Sequence, residues 1–213
     1  MAINLTLNEI LEQLELHFPN AKSELVFQNS FELLVATILS AQCTDERVNK
    51  VTPILFEHYP TPEKLAQSTL EDVVKIIYST GFYNNKAKNI IAMSKKLVEE
   101  FDSKVPSDME KLVTLPGVAR KTANVVLYNA FGICDGIAID THVKRIALLL
   151  GLSNKNDPEK IEQDLMKIIP KDKWGFFSQS IVLYGRYYCK AKRHDITKCF
   201  LGGHELLDDY NAY

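Results

Sequence analysis

Two side chains in this 213-residue chain could do chemistry that an ordinary fold does not require, Lys121 and Asp140. Both lie in one stretch, Leu115 to His142, reading LPGVARKTANVVLYNAFGICDGIAIDTH. A lysine amine attacks carbon only when unprotonated, and a helix start, an adjacent Arg120 and partial burial each oppose positive charge there. The helix start follows from spacing. Ala123, Val126, Leu127 and Ala130 recur at helical period, so Arg120, Lys121 and Thr122 fall in the first turn of a helix over 119–130. Asp140 comes 140 − 121 = 19 residues later. A carboxylate there could stabilise a positive transition state and assist deprotonation of the nucleophile. Plainer roles stay open: Lys121 as a point charge for phosphate, and Asp140 as an N-cap.

The elements that must position these residues are legible from turn and cap chemistry. In Leu115-Pro116-Gly117-Val118 the proline fixes φ and the glycine can take the positive φ of a sharp reversal. Outward backbone N–H groups, then a helix N-terminus with two cations, make a suitable site for a nucleic-acid phosphate. Helical periodicity runs almost everywhere and no useful alternating pattern occurs, so the chain is expected to be all-α. Helices are expected over 5–18, over 31–42 capped by Ser30, over 45–59, briefly from Pro62, and from a Thr69 cap to Gly81. Further ones are expected over 84–101, shortly after a Ser107 cap, over 141–150 from Asp140 to a stop at Gly151, from Pro158, and over 172–188. The segment 31–42 is apolar enough to be central.

Composition, 46% hydrophobic and 24% charged, is that of one or two globular domains. There is no long apolar run and no basic-then-apolar start, so a soluble intracellular protein is expected. Four scattered cysteines exclude a secreted disulfide scaffold and point to reduced thiols. The net charge of −2 does not announce a nucleic-acid binder. Its distribution is more informative: Arg186, Lys190, Lys192 and Arg193 form an acid-free run, whose plainer reading is a solvated helix end.

The segment Leu115 to Ala123 resembles the hairpin of the helix-hairpin-helix DNA glycosylases, and Ile139-Asp140-Thr141-His142 resembles their downstream aspartate segment. The likeness is greatest to the endonuclease III branch. It extends through Ser40-Ala41-Gln42-Cys43-Thr44-Asp45, through Gly81 to Ala87, and through Tyr184 to Cys189, so nearly the whole chain is covered in order. The resemblance implies a two-lobed fold: a six-helix unit over 23–134 carrying the hairpin, and a second helical lobe from 1–22 plus 135–213. Lys121 and Asp140 would then come from different lobes, with substrate in a cleft. It further implies a bifunctional DNA glycosylase and apurinic/apyrimidinic lyase for oxidised pyrimidines in duplex DNA, acting as a monomer without a membrane in the cytoplasm at the nucleoid. Lys121 would be the nucleophile forming a Schiff base before β-elimination, and Asp140 its carboxylate partner.

The DNA contacts implied are Gly117, Ala119, Arg120 and Thr122 at the hairpin, Gln42 as void filler, Phe82 as wedge, and Lys190, Lys192 and Arg193 on phosphates. An exposed-turn phenylalanine is otherwise a packed loop anchor. Two further functions remain: a uracil or mismatched-thymine glycosylase, and a non-catalytic hairpin module that binds DNA structures.

Two departures from the family pattern stand out. Ala119 occupies a position where many members carry glycine, which matters if positive φ or very close phosphate approach is needed there. Many endonuclease III relatives also hold a four-iron cluster through Cys-x6-Cys-x2-Cys-x5-Cys, and those positions here are Cys189, Ile196, Cys199 and Glu205. With two ligands missing, no iron–sulfur cluster and no cofactor is expected. The loop would instead be held by packing around Tyr187, Tyr188, Phe200 and Leu201. An alternative is zinc on Cys189, His194, Cys199 and His204, which recur every five residues.

Overall fold

Apolar residues at helical spacing, punctuated by capping side chains, produce helices and no strand among the residues that the computed structural model describes, 5–192 and 194–202. In order they are α1 (Leu7–His17), α2 (Ser30–Leu39), α3 (Asp45–His58), α4 (Pro62–Ala66), α5 (Leu70–Ile77), α6 (Tyr83–Glu100), α7 (Met109–Leu112), α8 (Arg120–Phe131), α9 (Thr141–Leu149), α10 (Pro158–Ile168) and α11 (Trp174–Tyr187). Short 3-10 turns occupy Tyr78–Thr80, Lys171–Lys173 and Ile196–Lys198. The chain divides into a unit of Ser23–Ile133 and a unit of Met1–Lys22 with Cys134–Tyr213. Each closes its own core. None of the described helices is long and apolar enough to cross a membrane.

In the Ser23–Ile133 unit, α2 is the central helix because its residues from Phe31 to Leu39 are all buried. It packs against α8, α6 and α3. Its N-cap is Asn29, not Ser30. The Asn29 side chain accepts the Glu32 N–H at 2.9 Å, and the Glu32 carboxylate takes the Gln28 N–H at 2.7 Å. Both residues are good caps, so only the phase of the buried face decides between them. The helix also ends at Leu39, short of Gln42, which has φ 51° and cannot extend it. Helix α6 buries Ala87, Ile90, Ile91, Met93 and Leu97, and packs on α4 and α5. Helix α7 is capped by Asp108, one residue beyond the expected Ser107.

The other unit is built on α11, whose Phe177, Ile181 and Tyr184 are buried. It packs against α9 and α1. Helix α1 begins with a capping box, in which Thr6 and Glu9 satisfy each other's backbone N–H groups.

The cap assignment on α2 is testable. Asn29→Ala is expected to cost about 1 kcal/mol of stability in denaturant melts, and Ser30→Ala less than about 0.5 kcal/mol. Equal effects from the two substitutions would contradict the assignment.

Candidate active site and nucleic-acid interface

The turn between α7 and α8 is closed by backbone bonds from Leu115 N–H to Leu112 and from Val118 N–H to Leu115, 3.0 and 3.1 Å long. Leu115 and Val118 are buried, which anchors the turn from beneath. Gly117 has φ +78°, and a Cβ added there would lie 2.9 Å from the Cβ of Asn89. Glycine is therefore required twice over, by conformation and by space. Ala119, in contrast, is extended at φ −90°, so the concern about positive φ at this position does not arise.

Ala119 occupies the N-cap of α8 and offers no capping side chain. The backbone N–H groups at the start of the helix therefore receive no acceptor from the side chain at 119. Five expected residues, Gly117, Ala119, Arg120, Lys121 and Thr122, are gathered in this one turn. Lys121 is exposed. The partial burial expected of it is absent.

Asp140 is the N-cap of α9, with its Oδ1 accepting the Val143 N–H at 2.8 Å. The linker before it is held by two polar side chains that sequence reasoning did not single out. Glu162 accepts the Ile137 N–H at 3.2 Å, and the Ser178 hydroxyl donates to the Ala138 carbonyl at 2.9 Å. Both are buried. A glutamate on the apolar face of α10 was the available signal. His142, in the first turn of α9, is half-buried, and burial pushes its imidazole below the usual range despite Asp140 nearby. A Cβ at Gly185 would come within 2.9 Å of its Nδ1, so this glycine keeps α11 close to the helix that Asp140 begins.

Gln42 and Phe82 share an unusual backbone. Both are non-glycine residues in the left-handed region, at φ 51° and 48°. The Phe82 ring is 64% exposed, so the loop-anchor reading is excluded. Its turn is pinned by Lys86, buried at 4% exposure, whose Nζ donates to the Thr80 carbonyl at 2.7 Å. Burial pushes the Lys86 ammonium down, and Cys43, next to Gln42, lies within electrostatic reach of it. The two strained residues thus border one buried lysine, which was also missed in the sequence.

Lys190 and Lys192 are exposed on the loop after α11, while Arg193, His204 and Glu205 lie outside the described residues. The loop packs through Tyr188, Phe200 and Leu201 as expected, while Tyr187 is 57% exposed. The end of α1 adds to this packing. The His17 ring stacks on Phe200 at 3.7 Å, and Phe18 meets Tyr188 edge-on at 5.8 Å. Cys189, His194 and Cys199 converge, their ligand atoms all within 4.8 Å of one another. Burial, reinforced by Cys189, raises the Cys199 thiol to about 12. This donor set does not fit a four-iron cluster. Such a cluster needs four soft ligands spread around a cube, whereas two sulfurs and an imidazole are close together here, and Ile196 has no donor atom.

A glycine hairpin that leads into an uncapped, basic helix start defines a protein built to hold a nucleic-acid backbone. This chain belongs to the HhH-GPD superfamily of base excision DNA repair proteins, which matches residues 35–171. It is 54% identical to the endonuclease III of Synechocystis sp. over 193 residues, 91% of this chain and 88% of that protein. The fold is similar to that of a solved non-covalent endonuclease III–DNA complex, with TM-score 0.89 and 42% identity over 98% of this chain and all of that one. A trapped endonuclease III–DNA covalent intermediate, an estranged-adenine complex, gives TM-score 0.88 and 43% identity, covering 95% of this chain and 99% of that one.

Gly117→Ala tests the hairpin geometry. The left-handed penalty alone is about 1–2 kcal/mol, so DNA affinity is expected to fall by about tenfold while Ala119→Gly changes it little. Titration of both variants with a labelled duplex separates the two positions.

Proposed function

We propose that this protein removes oxidised pyrimidines from duplex DNA as a bifunctional glycosylase and apurinic/apyrimidinic lyase, with Lys121 as its nucleophile. The observation that carries the reading is a lysine placed at the uncapped start of the hairpin's second helix. The likeness to an endonuclease III solved as a trapped covalent intermediate with DNA supports a covalent route. Nucleoid DNA is then its place of work.

The anomeric carbon of a nucleotide is shielded in a duplex, so the damaged nucleotide must first be extruded. The N–H groups at the start of α8 hold a backbone phosphate, with Arg120 adding charge and the missing Cβ of Gly117 leaving room. Phe82 enters the vacated stack, and Gln42 fills the remaining void beside the opposite base. Lys190 and Lys192, together with Arg193, neutralise phosphates.

The chemistry then follows from two residues. The unprotonated Lys121 amine attacks the anomeric carbon, the carbon–nitrogen bond to the base breaks, and the base leaves with the bonding pair. Opening of the sugar ring gives a Schiff base. Loss of a proton from the carbon next to the imine expels the 3′ phosphate and cuts the strand. Asp140 stabilises the positive, sugar-centred transition state and receives a proton from the lysine. A non-catalytic hairpin module would need neither residue, since phosphate binding is complete with backbone donors and point charges.

Borohydride treatment during reaction with a thymine-glycol duplex is expected to trap a protein–DNA adduct that disappears in Lys121→Gln. Strand cutting at the wild-type rate by Lys121→Gln would remove the lysine from the mechanism. Asp140→Asn keeps an acceptor for the Val143 N–H, so α9 still starts correctly, yet turnover is expected to slow by at least about 10²-fold with lesion binding retained. Equal losses of binding and rate would make Asp140 a cap only.

Single alanine substitutions at Lys190 and Lys192 should each lower the salt slope of DNA binding by about one. An unchanged slope in the double variant would return this run to solvated surface.

A further inference from the structure

We propose that Cys189, His194 and Cys199 bind one zinc ion that fastens the loop carrying Lys190 and Lys192. The three donor atoms lie within 4.8 Å of one another, and the His194 Nε2 is 3.1 Å from the Cys199 Sγ. Around tetrahedral zinc, neighbouring sulfur and nitrogen ligands stand about 3.6–3.8 Å apart, so only small side-chain adjustments separate the observed arrangement from a metal shell. Two thiolates and an imidazole are soft and borderline donors, which favour zinc over magnesium or calcium.

The surroundings of the three residues are those of a metal site rather than of a chance contact. The His194 Nδ1 lies 2.9 Å from the Lys192 carbonyl, to which it donates its N–H. That bond fixes the tautomer and aims the Nε2 lone pair at the two sulfurs, as an outer-shell carbonyl does for ligating histidines. Arg145 donates to the Cys189 Sγ at 3.7 Å and to the Cys189 carbonyl at 2.7 Å, setting a positive charge beside the sulfur. Cys189 and Cys199 are both buried, with Tyr184 and Phe200 near them, so water competes poorly for the ion. Metal uptake releases one proton from each thiol. The fourth tetrahedral position is left to a ligand beyond these three.

The ion would close the loop from residue 189 to 199 across the end of α11, with Lys190 and Lys192 held on it. This role does not depend on the lysine mechanism, because none of the three ligands is assigned to the chemistry.

The test uses the whole chain, purified without a metal-affinity step. Elemental analysis should find about one zinc per chain and no stoichiometric iron. Reloading with cobalt alone should give the absorption of a tetrahedral thiolate-bound ion. Cys199→Ser and His194→Ala should lose both signals, whereas Cys134→Ser keeps them. Chelator should lower the melting temperature of the wild type and leave His194→Ala unmoved, which keeps the result readable if Cys199→Ser folds poorly. The proposal is overturned by wild-type protein that holds no zinc and gives no cobalt–thiolate band. A brown protein with stoichiometric iron, or full zinc retention in His194→Ala, also overturns it.

Discussion

The structure depends on a helix start that the protein leaves without a side-chain cap. Eight of the eleven described helices begin on a threonine, asparagine or aspartate whose side chain accepts a backbone N–H. In the Ser23–Ile133 unit the two exceptions are α6 and α8, which begin at Phe82 and Ala119. Each missing cap forgoes roughly 1 kcal/mol. At α8 the same omission removes a side-chain acceptor that would compete with a phosphate in the proposed function. A serine at 119 would stabilise α8 by such a cap, so fold stability and the proposed phosphate contact would oppose each other at that residue.

Asp140, the carboxylate of the proposed mechanism, shows the complementary arrangement, in which a side chain is held firmly. Its cap bond to Val143 fixes the carboxylate, and buried Glu162 and Ser178 fix the two residues of linker on which it rides. Buried polar groups are tolerated when they are hydrogen-bonded, and these two each satisfy a backbone group of the linker. Gly185 then brings α11 against His142, whose neutral imidazole adds no competing cation beside Asp140. A carboxylate positioned by backbone and by a second layer of hydrogen bonds needs little reorganisation as charge develops next to it.

The parts of this design written in local chemistry were legible in the sequence. Pro116-Gly117, the basic first turn with Lys121, and the Asp140 cap all follow from residue types over a few positions. Errors arose where two local solutions were equally good, as with Asn29 beside Ser30, or Asp108 beside Ser107. Other misses required tertiary knowledge. Nothing local in the sequence ties the first helix to this loop, yet His17 and Phe18, at the end of α1, meet Phe200 and Tyr188. The exposure of Lys121 and the burial of Lys86 are likewise facts of packing, since a lysine carries the same sequence signal in either place.

The left-handed backbones of Gln42 and Phe82, shared in this unit by Asp102 and Ser103, give up stability. Non-glycine residues in that region cost on the order of 1 kcal/mol or more each, and persist only where neighbours over-determine them. The determinants are visible. The 3-10 turn Tyr78–Thr80 leads into Gly81 at φ +69°, and Lys86 then ties the Thr80 carbonyl to the body of α6. A buried ammonium is an expensive tie, and a simple loop would not require it. It helps hold the turn at Phe82, whose ring lies in water; as the proposed wedge, that ring would gain apolar burial on entering a gap between bases. The strain, the buried lysine and the exposed ring are thus three costs that one binding event would repay together.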